Sequence, residues 1–496
     1  MTRDIPCKRG PHERQTQVLK NPQIVVLGGG PGGLCAAWNL AQDGYQVTVF
    51  EKELVCGGQS ITFERDGYRY DLGPHNIHPQ RRSIIDFLKR NLGAEFIQHN
   101  FHSQILFQGR RINYPFVGVD ILRSLDAMTL ATCGLSYLYS RFRAAFLPFA
   151  QDDGTFQTWI VNRFGRRFYD IFFGPYSEKV WGMPADQLSD VVAKKRIVVS
   201  SIADLVHALF SNKEKYHPEN PRVLENYYPQ QGVGAISDFF VAGIEGAGGK
   251  IIRGAKISRL VQSDGMIRAI EFDRCGQHER LEFDRAAGGR VLSTIPLNEM
   301  VLLIEGDVPE DIKSAARGLD FSSEVFLYIN VNKPDILRVP VLYFSDSEFR
   351  FNRIYDVGIF SRKMVPPGKN AICLEITCTK GDSLWNMPDE ELFELCLKPL
   401  ERNGLLRRLD VEGYHTRRLT HAYPRFRVGY QEKLNAIFRY LSTISNLSTF
   451  GRQGLFSYAN VDDVLWMGFE VSKNIHYRDR LHLSIEELLP QYVPFY

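Results

Sequence analysis

The stretch Ile24-Val-Val-Leu-Gly-Gly-Gly-Pro-Gly-Gly33 constrains this chain more than any other. Its four apolar residues read as a buried parallel strand, and the spacing Gly28-x-Gly30-x-x-Gly33 calls for a tight turn into a helix. Amides in the first turn of a helix lack partners within it and lie at its positive end, so they can hold a pyrophosphate. A second strand, Val47-Thr-Val-Phe-Glu51, ends in a carboxylate eighteen residues past Gly33. There Glu51 can accept hydrogen bonds from a ribose diol. Strand, turn, small-residue helix (Leu34-Cys-Ala-Ala37) and acid-ended strand fall in order, so the reading is an α/β unit that binds a dinucleotide.

The rest of the chain bounds its partners. A length of 496 residues allows two or three structural regions, and a net charge of +3 with basic residues spread along the chain gives no nucleic-acid footprint. The eight cysteines form no Cys-x-x-Cys pair and no zinc spacing. They read as reduced thiols of a cytoplasmic protein without a metal site. No apolar run is long enough to cross a bilayer, and Met1 to Lys20 has no signal-peptide core and reads as a flexible leader. Leu122 to Ala150 is rich in Leu, Phe and Tyr but broken by Arg123, Asp126, Arg141 and Arg143. It reads as a helical face packed on the main body, with weak contact to a membrane surface as the alternative.

Periodicity gives the expected order. After the leader (1–20) come a first part of the dinucleotide domain (21–82), a largely helical insertion (83–226) and a second part of the domain (227–300). A β-rich substrate domain (301–440) follows, then a third part with a closing helix (441–496). Candidate strands include Tyr68 to Asp71, Lys250 to Arg253, Ile257 to Val261, Ile267 to Phe272, Arg290 to Ser293, Val325 to Asn330, Val341 to Phe344 and Ala371 to Ile376. Val461 to Ile475 reads as the closing helix.

With Gly57-Gly58-Gln-Ser60 and Tyr70-Asp-Leu-Gly-Pro-His-Asn-Ile-His78, the chain comes to resemble one branch of the FAD flavoproteins, the UDP-galactopyranose mutases and their protoporphyrinogen-oxidase-like relatives in the amine oxidase superfamily. The resemblance continues through Pro175-Tyr-Ser-Glu-Lys-Val-Trp181, Phe351-Asn-Arg-Ile-Tyr355, Tyr423-Pro424 and Gly451-Arg-Gln-Gly-Leu-Phe-Ser-Tyr-Ala-Asn-Val-Asp462. It implies a Rossmann-like FAD-binding domain split along the chain, with a helical insertion and a β-rich substrate domain. FAD is then expected to be bound non-covalently, with NAD(P)H as a candidate external reductant. Cofactor positions implied by the resemblance are Gly28, Gly30 and Gly33 at the pyrophosphate, Glu51 at the adenosine ribose, Gly58 and Ser60 beside the pyrophosphate, and Val261 near the adenine. Gly451, Arg452, Asn460, Val461 and Asp462 are implied at the flavin.

The same resemblance brings His75, and with it His78, against the flavin. It implies Arg196, Arg353 and Arg452 at a substrate diphosphate, and Tyr176, Trp181, Tyr423 and Tyr458 around a sugar nucleotide. Forked guanidinium donors suit a diphosphate. Redox-neutral ring isomerisation of a nucleotide-diphosphate sugar through N5 of reduced flavin is the implied reaction. The alternative is an oxidoreductase that removes hydride from an amine, a porphyrinogen or a polyene, because Leu292-Ser-Thr-Ile-Pro-Leu297 is shared with such enzymes. Two positions depart from the mutase pattern: Asn460 stands where an acid is expected, and Val461 where a methionine is.

Overall fold

The computed structural model describes residues 22–78, 81–100, 103–114, 125–146, 153–196, 225–283, 289–478 and 485–488. The leader lies outside them. Ile24–Leu27 is the central strand of a five-stranded parallel sheet, flanked by Val47–Glu51 and Lys250–Arg253 on one side and by Arg290–Ser293 and Leu447–Thr449 on the other. All four of its residues are fully buried, because a parallel sheet is covered on both faces. Ile24 and Val26 face the helices Pro31–Gln42 and Val461–Arg478, while Val25 and Leu27 face a second cluster with Phe50 and Val291.

A seven-stranded sheet forms the second layer. Its order is Val411–Pro424, Phe321–Val331, Asn370–Cys378, Arg353–Asp356, Val341–Phe344, Ser103–Phe107 and Arg110–Tyr114. Period-two alternation decides its faces. Val325, Leu327, Ile329, Leu374 and Ile376 pack with Leu392, Leu397 and Leu400 of the helix Asp389–Arg402. Phe326, Tyr328, Tyr355 and Cys373 point the other way, into the cluster shared with the parallel sheet. The side chains between the two sheets are therefore those that can meet a bound molecule.

The segment 83–226, expected to be largely helical, contains strands as well. Ser103–Phe107 and Arg110–Tyr114 form a hairpin through Gln108 (φ 49°) and Gly109 (φ 71°), a two-residue turn of the left-handed kind that joins twisted strands. Val341–Phe344 pairs in parallel with Ser103–Phe107, and Phe96–Asn100 pairs with Glu225–Pro229. Short strands whose partners lie more than a hundred residues away carry little local signal. Helices do occupy Arg82–Leu92, Ala127–Phe146, Phe156–Phe164, Gly174–Trp181 and Val191–Arg196. On Ala127–Phe146 the side chains of Met128, Leu135, Leu138, Tyr139, Phe142 and Phe146 are exposed. No helix among the described residues is long and apolar enough to cross a membrane.

Candidate functional site

Where the parallel strands end, a cavity of about 1660 Å³ opens between the two sheets. Drug-sized ligands occupy roughly 300–1,000 Å³, so this space has room for a dinucleotide and a second molecule. Its position, outside the carboxyl ends of parallel strands, is where α/β sheets bind nucleotides.

The glycine-rich end is built for close backbone approach. Pro31 starts the helix Pro31–Gln42 at a position where its missing N–H costs nothing, and no side chain caps the preceding Gly30. A Cβ on Gly33 would lie 2.4 Å from the Gly28 carbonyl oxygen, so glycine lets the helix sit on the strand end; a Cβ on Gly30 would meet nothing within 4 Å. That open space leaves room for a phosphate group to approach the backbone. Glu51 lines the cavity with its carboxylate already oriented: Oε2 accepts from the Gly29 amide at 2.8 Å and Oε1 from the Glu53 amide at 2.9 Å. Burial raises its pKa and the two amide bonds oppose the rise. A carboxylate has about four lone-pair sites, so acceptor capacity is left for a ribose diol.

At the other end the cavity reaches the face of the seven-stranded sheet. The hairpin Thr62–Arg65 and Tyr68–Asp71 brings His75 there. Asp71 anchors it: its carboxylate accepts from Thr62 Oγ1 (2.6 Å) and the Tyr228 hydroxyl (2.5 Å), and its carbonyl from the hydroxyls of Tyr328 (2.7 Å) and Tyr355 (3.0 Å). His75 Nδ1 lies 3.0 Å from the Gly73 carbonyl, which can only accept. Nδ1 therefore carries the hydrogen and Nε2 a lone pair. Burial, together with Arg353 and Arg452, pushes the His75 pKa down to about 4, so the ring is neutral at physiological pH. His78, lowered to about 4 by burial, also lines the cavity.

Cross-strand register places Tyr343, Arg353, Glu375 and Phe326 in one row across four strands. Arg353 binds the Glu375 carboxylate at 2.7 Å and donates to the Tyr423 hydroxyl at 3.0 Å. The rings of Tyr423 and Tyr458 stack at 5.2 Å with 15° between planes, and the Arg452 guanidinium lies 4.6 Å from the Tyr458 ring and 5.1 Å from that of Tyr423. Arg452 also donates to the carbonyls of Ala459 and Ala422. Buried polar atoms without a hydrogen-bond partner on described lining residues include Asn76 Oδ1, Arg353 Nε, Arg452 Nε, Glu375 Oε1 and Gln453 Oε1. Orphaned groups of this kind call for a ligand or water.

The cavity thus gathers Gly28, Gly30, Glu51, Gly58, Ser60, His75, Arg353, Tyr423, Gly451, Arg452, Tyr458, Asn460 and Val461. Other expected residues lie elsewhere. Gly33 packs the helix on its strand, and Val261 does not line the cavity, whose wall on that strand is Ala255, Lys256 and Ile257. Trp181 is buried behind the tyrosine stack, 6.4 Å from Tyr423 and 6.2 Å from Tyr458, because its short helix packs its apolar face inward. Tyr176, on the same helix, is half-buried and not in the lining. Asp462 is buried one layer back, in the first turn of Val461–Arg478, with both carboxylate oxygens unpaired and a pKa raised to about 8 by burial and by Asp463. Arg196 ends the helix Val191–Arg196 and its side chain lies outside the described residues.

Reading the sequence missed Glu324 and Glu375, both lining the cavity while 2% and 1% exposed. An available signal was a glutamate at an inward position of each apolar strand. Cys56 is buried and its thiol is pushed up to about 11, chiefly by burial. Among the described residues no cluster of His, Cys, Asp or Glu could hold a metal ion.

The chain is similar to proteins of known kind. The UDP-galactopyranose mutase of Mycoplasma pneumoniae is 27% identical over 181 residues, a match covering 36% of this chain and 45% of that one. A Flavobacterium 1-hydroxycarotenoid 3,4-desaturase is 50% identical over 86 residues, 15% of this chain and 18% of the desaturase. The crystal structure of a reduced UDP-galactopyranose mutase superposes with a TM-score of 0.79 over 95% of this chain and 98% of that one at 22% identity, a likeness of fold. The family of flavin containing amine oxidoreductases matches residues 31–430, most of the chain including the glycine-rich helix and the whole seven-stranded sheet, and the chain belongs to that family.

Proposed function

We propose that this chain is a FAD-dependent enzyme that isomerises a nucleotide-diphosphate sugar without net oxidation. The observation that carries the reading is the pair of guanidinium groups, Arg353 and Arg452, held on the cavity lining beside stacked tyrosines, each with a buried Nε that lacks an acceptor. A buried donor left unsatisfied costs about 1–3 kcal/mol, and a diphosphate oxygen would relieve that cost with a charge-assisted bond. Tyr423 and Tyr458 offer apolar area with polar edges to a sugar or a base. Neutral His75 adds no charge, and its Nε2 can accept a hydroxyl hydrogen.

Gly28, Gly30, Glu51, Gly58 and Ser60 are the residues to hold the adenosine diphosphate half of FAD, and Gly451, Asn460 and Val461 the flavin half. When bound, FAD supplies a ring whose reduced N5 is a nucleophile toward an anomeric carbon. Around it the chain orients the diphosphate, excludes water and moves protons. Buried Cys56, with its raised thiol pKa, is a poor candidate for a covalent link, which supports non-covalent binding. Seven unpaired cysteines among the described residues support a reducing, cytoplasmic location.

A second reading, hydride removal from a small or polyene substrate, is favoured by Phe63, Phe326, Val341 and Leu419, which make part of the lining apolar. Binding separates the two. In Arg353→Lys and Arg452→Lys the charge beside Glu375 and the tyrosines is kept and the forked donors are lost. Arg353→Lys should keep its FAD, and each variant should bind UDP more weakly by about 1.5–3 kcal/mol in titration calorimetry. Equal UDP affinity in wild type and both variants, or no UDP binding in any, favours the hydride-removing reading.

A further inference from the structure

The carboxylates of Glu324 and Glu375 stand on one face of adjacent strands, since Glu324 pairs in register with Thr377 and Glu375 with Phe326. Both line the cavity, both are almost wholly buried, and a single guanidinium, Arg353, serves the two of them. Two like charges in dry surroundings with one counter-charge cannot both persist, so one carboxyl keeps a proton. We propose that Glu324 and Glu375 hold one exchangeable proton between them, and that this carboxyl is the proton donor and acceptor for a substrate oxygen on the cavity floor.

Three observations support it. Glu375 is committed to Arg353 through Oε2 at 2.7 Å, while its Oε1 is buried and unpartnered. Among the described residues Glu324 has no cation of its own; it accepts from Thr377 Oγ1 at 3.4 Å, and its pKa is pushed up to about 8 by burial and by the charge on Glu375. His75, the other acid–base candidate in the cavity, is neutral and donates through Nδ1 to Gly73, so it has no proton to give. The charged and titratable groups around the pair are Arg353 on Arg353–Asp356, Cys373 and Cys378 on Asn370–Cys378, Tyr328 on Phe321–Val331, Tyr423 on Val411–Pro424, Tyr343 on Val341–Phe344, and His75 on the Gly73 loop packed against Glu375.

The role rests on the isomerisation proposed above. Opening a sugar ring breaks the bond between the anomeric carbon and the ring oxygen, which then needs a proton to become a hydroxyl. Closing through a different hydroxyl forms a new carbon–oxygen bond and releases a proton. Glu324 gives the first and takes back the second, with no net electron transfer.

Infrared difference spectra of the holoenzyme, taken on either side of pH 8, read the proton directly. Wild type should lose a protonated-carboxyl band as pH rises. Glu324→Gln should lack that component, keeping only the part due to Asp462, which titrates in the same range. In Glu375→Gln, Arg353 is freed to hold Glu324 ionised, so the component should vanish there too. A titrating band identical in wild type and Glu324→Gln would overturn the shared proton. With UDP-galactopyranose as substrate, Glu324→Gln should lower kcat roughly 100-fold or more with KM little changed. An unchanged kcat in a variant that has lost the band would overturn the acid–base role. If wild type does not turn this substrate over, the isomerase reading fails, and the infrared comparison still decides whether the proton is shared.

Discussion

Glu51 and Arg353 have the same kind of surroundings and opposite histories in the sequence. Each is a buried charge held by hydrogen bonds, Glu51 by two backbone amides and Arg353 by Glu375 and Tyr423. Glu51 announced itself because its partners are local, the Gly29 turn and Glu53. Arg353 was placed by resemblance, and its carboxylate partner went unseen because a cross-strand pair has no fixed spacing in sequence. Replacing Glu51 by Gln keeps the shape and removes the charged acceptor. The expected outcome is weaker FAD retention, by about 1.5–3 kcal/mol, in a protein that folds when FAD is supplied. Equilibrium dialysis against free FAD measures it, and an unaltered affinity would remove Glu51 from the ribose site.

Among the elements, the helix Pro31–Gln42 is closely seated, touching the sheet through Gly33 and the helix Val461–Arg478 through Gly32. Gly33→Val would force a side chain against the Gly28 carbonyl and lift the helix from its strand. Overpacking of this kind costs about 1–3 kcal/mol, and here it also moves the amides away from the pyrophosphate. The purified variant should melt lower and come out largely free of flavin; a yellow variant melting with wild type would contradict the packing account. The parallel sheet was legible because each strand is a continuous apolar run closed by glycine or an acid. The strands Thr62–Arg65, Ser103–Phe107, Arg353–Asp356 and Gln277–Glu282 were not. They are short and partly polar, too brief for alternation to show, and Ser103–Phe107 also depends on a distant partner, Val341–Phe344. Of the expected site, the glycine turn, Glu51, His75 and the two tyrosines line the cavity, whereas Trp181 and Val261 lie off it, because sequence position does not say which layer a residue occupies.

At the scale of the whole molecule, buried titratable groups couple stability to pH. Glu324 and Asp462 are each raised to about 8, so between pH 4.5 and 8 the native chain holds protons that the unfolded chain has released, and stability falls as pH rises. His75, His78 and His415, lowered from 6.5 to about 4, act in the opposite sense: below pH 6.5 the unfolded chain binds protons that the native chain refuses, and stability falls as pH drops. Between pH 6.5 and 8 the two carboxyls outweigh Lys179, which burial lowers to about 8 and which acts in the opposite sense from there upward. The melting temperature should therefore decline from pH 6.5 toward 8, and decline less steeply in Glu324→Gln; equal slopes in calorimetry would contradict the buried acid. Glu324, His75 and His78 also line the cavity, whose chemistry divides cleanly under one anaerobic assay. The protein is incubated with UDP-galactopyranose, first with oxidised flavin and then after reduction by NADPH or dithionite, and the sugar product is weighed by mass spectrometry while flavin absorbance is followed. Turnover only in the reduced state, with a product of unchanged mass and no net change in flavin, is the expected result. Bleaching of oxidised flavin by an amine, an alcohol or a polyene, with a product two hydrogens lighter, would contradict it.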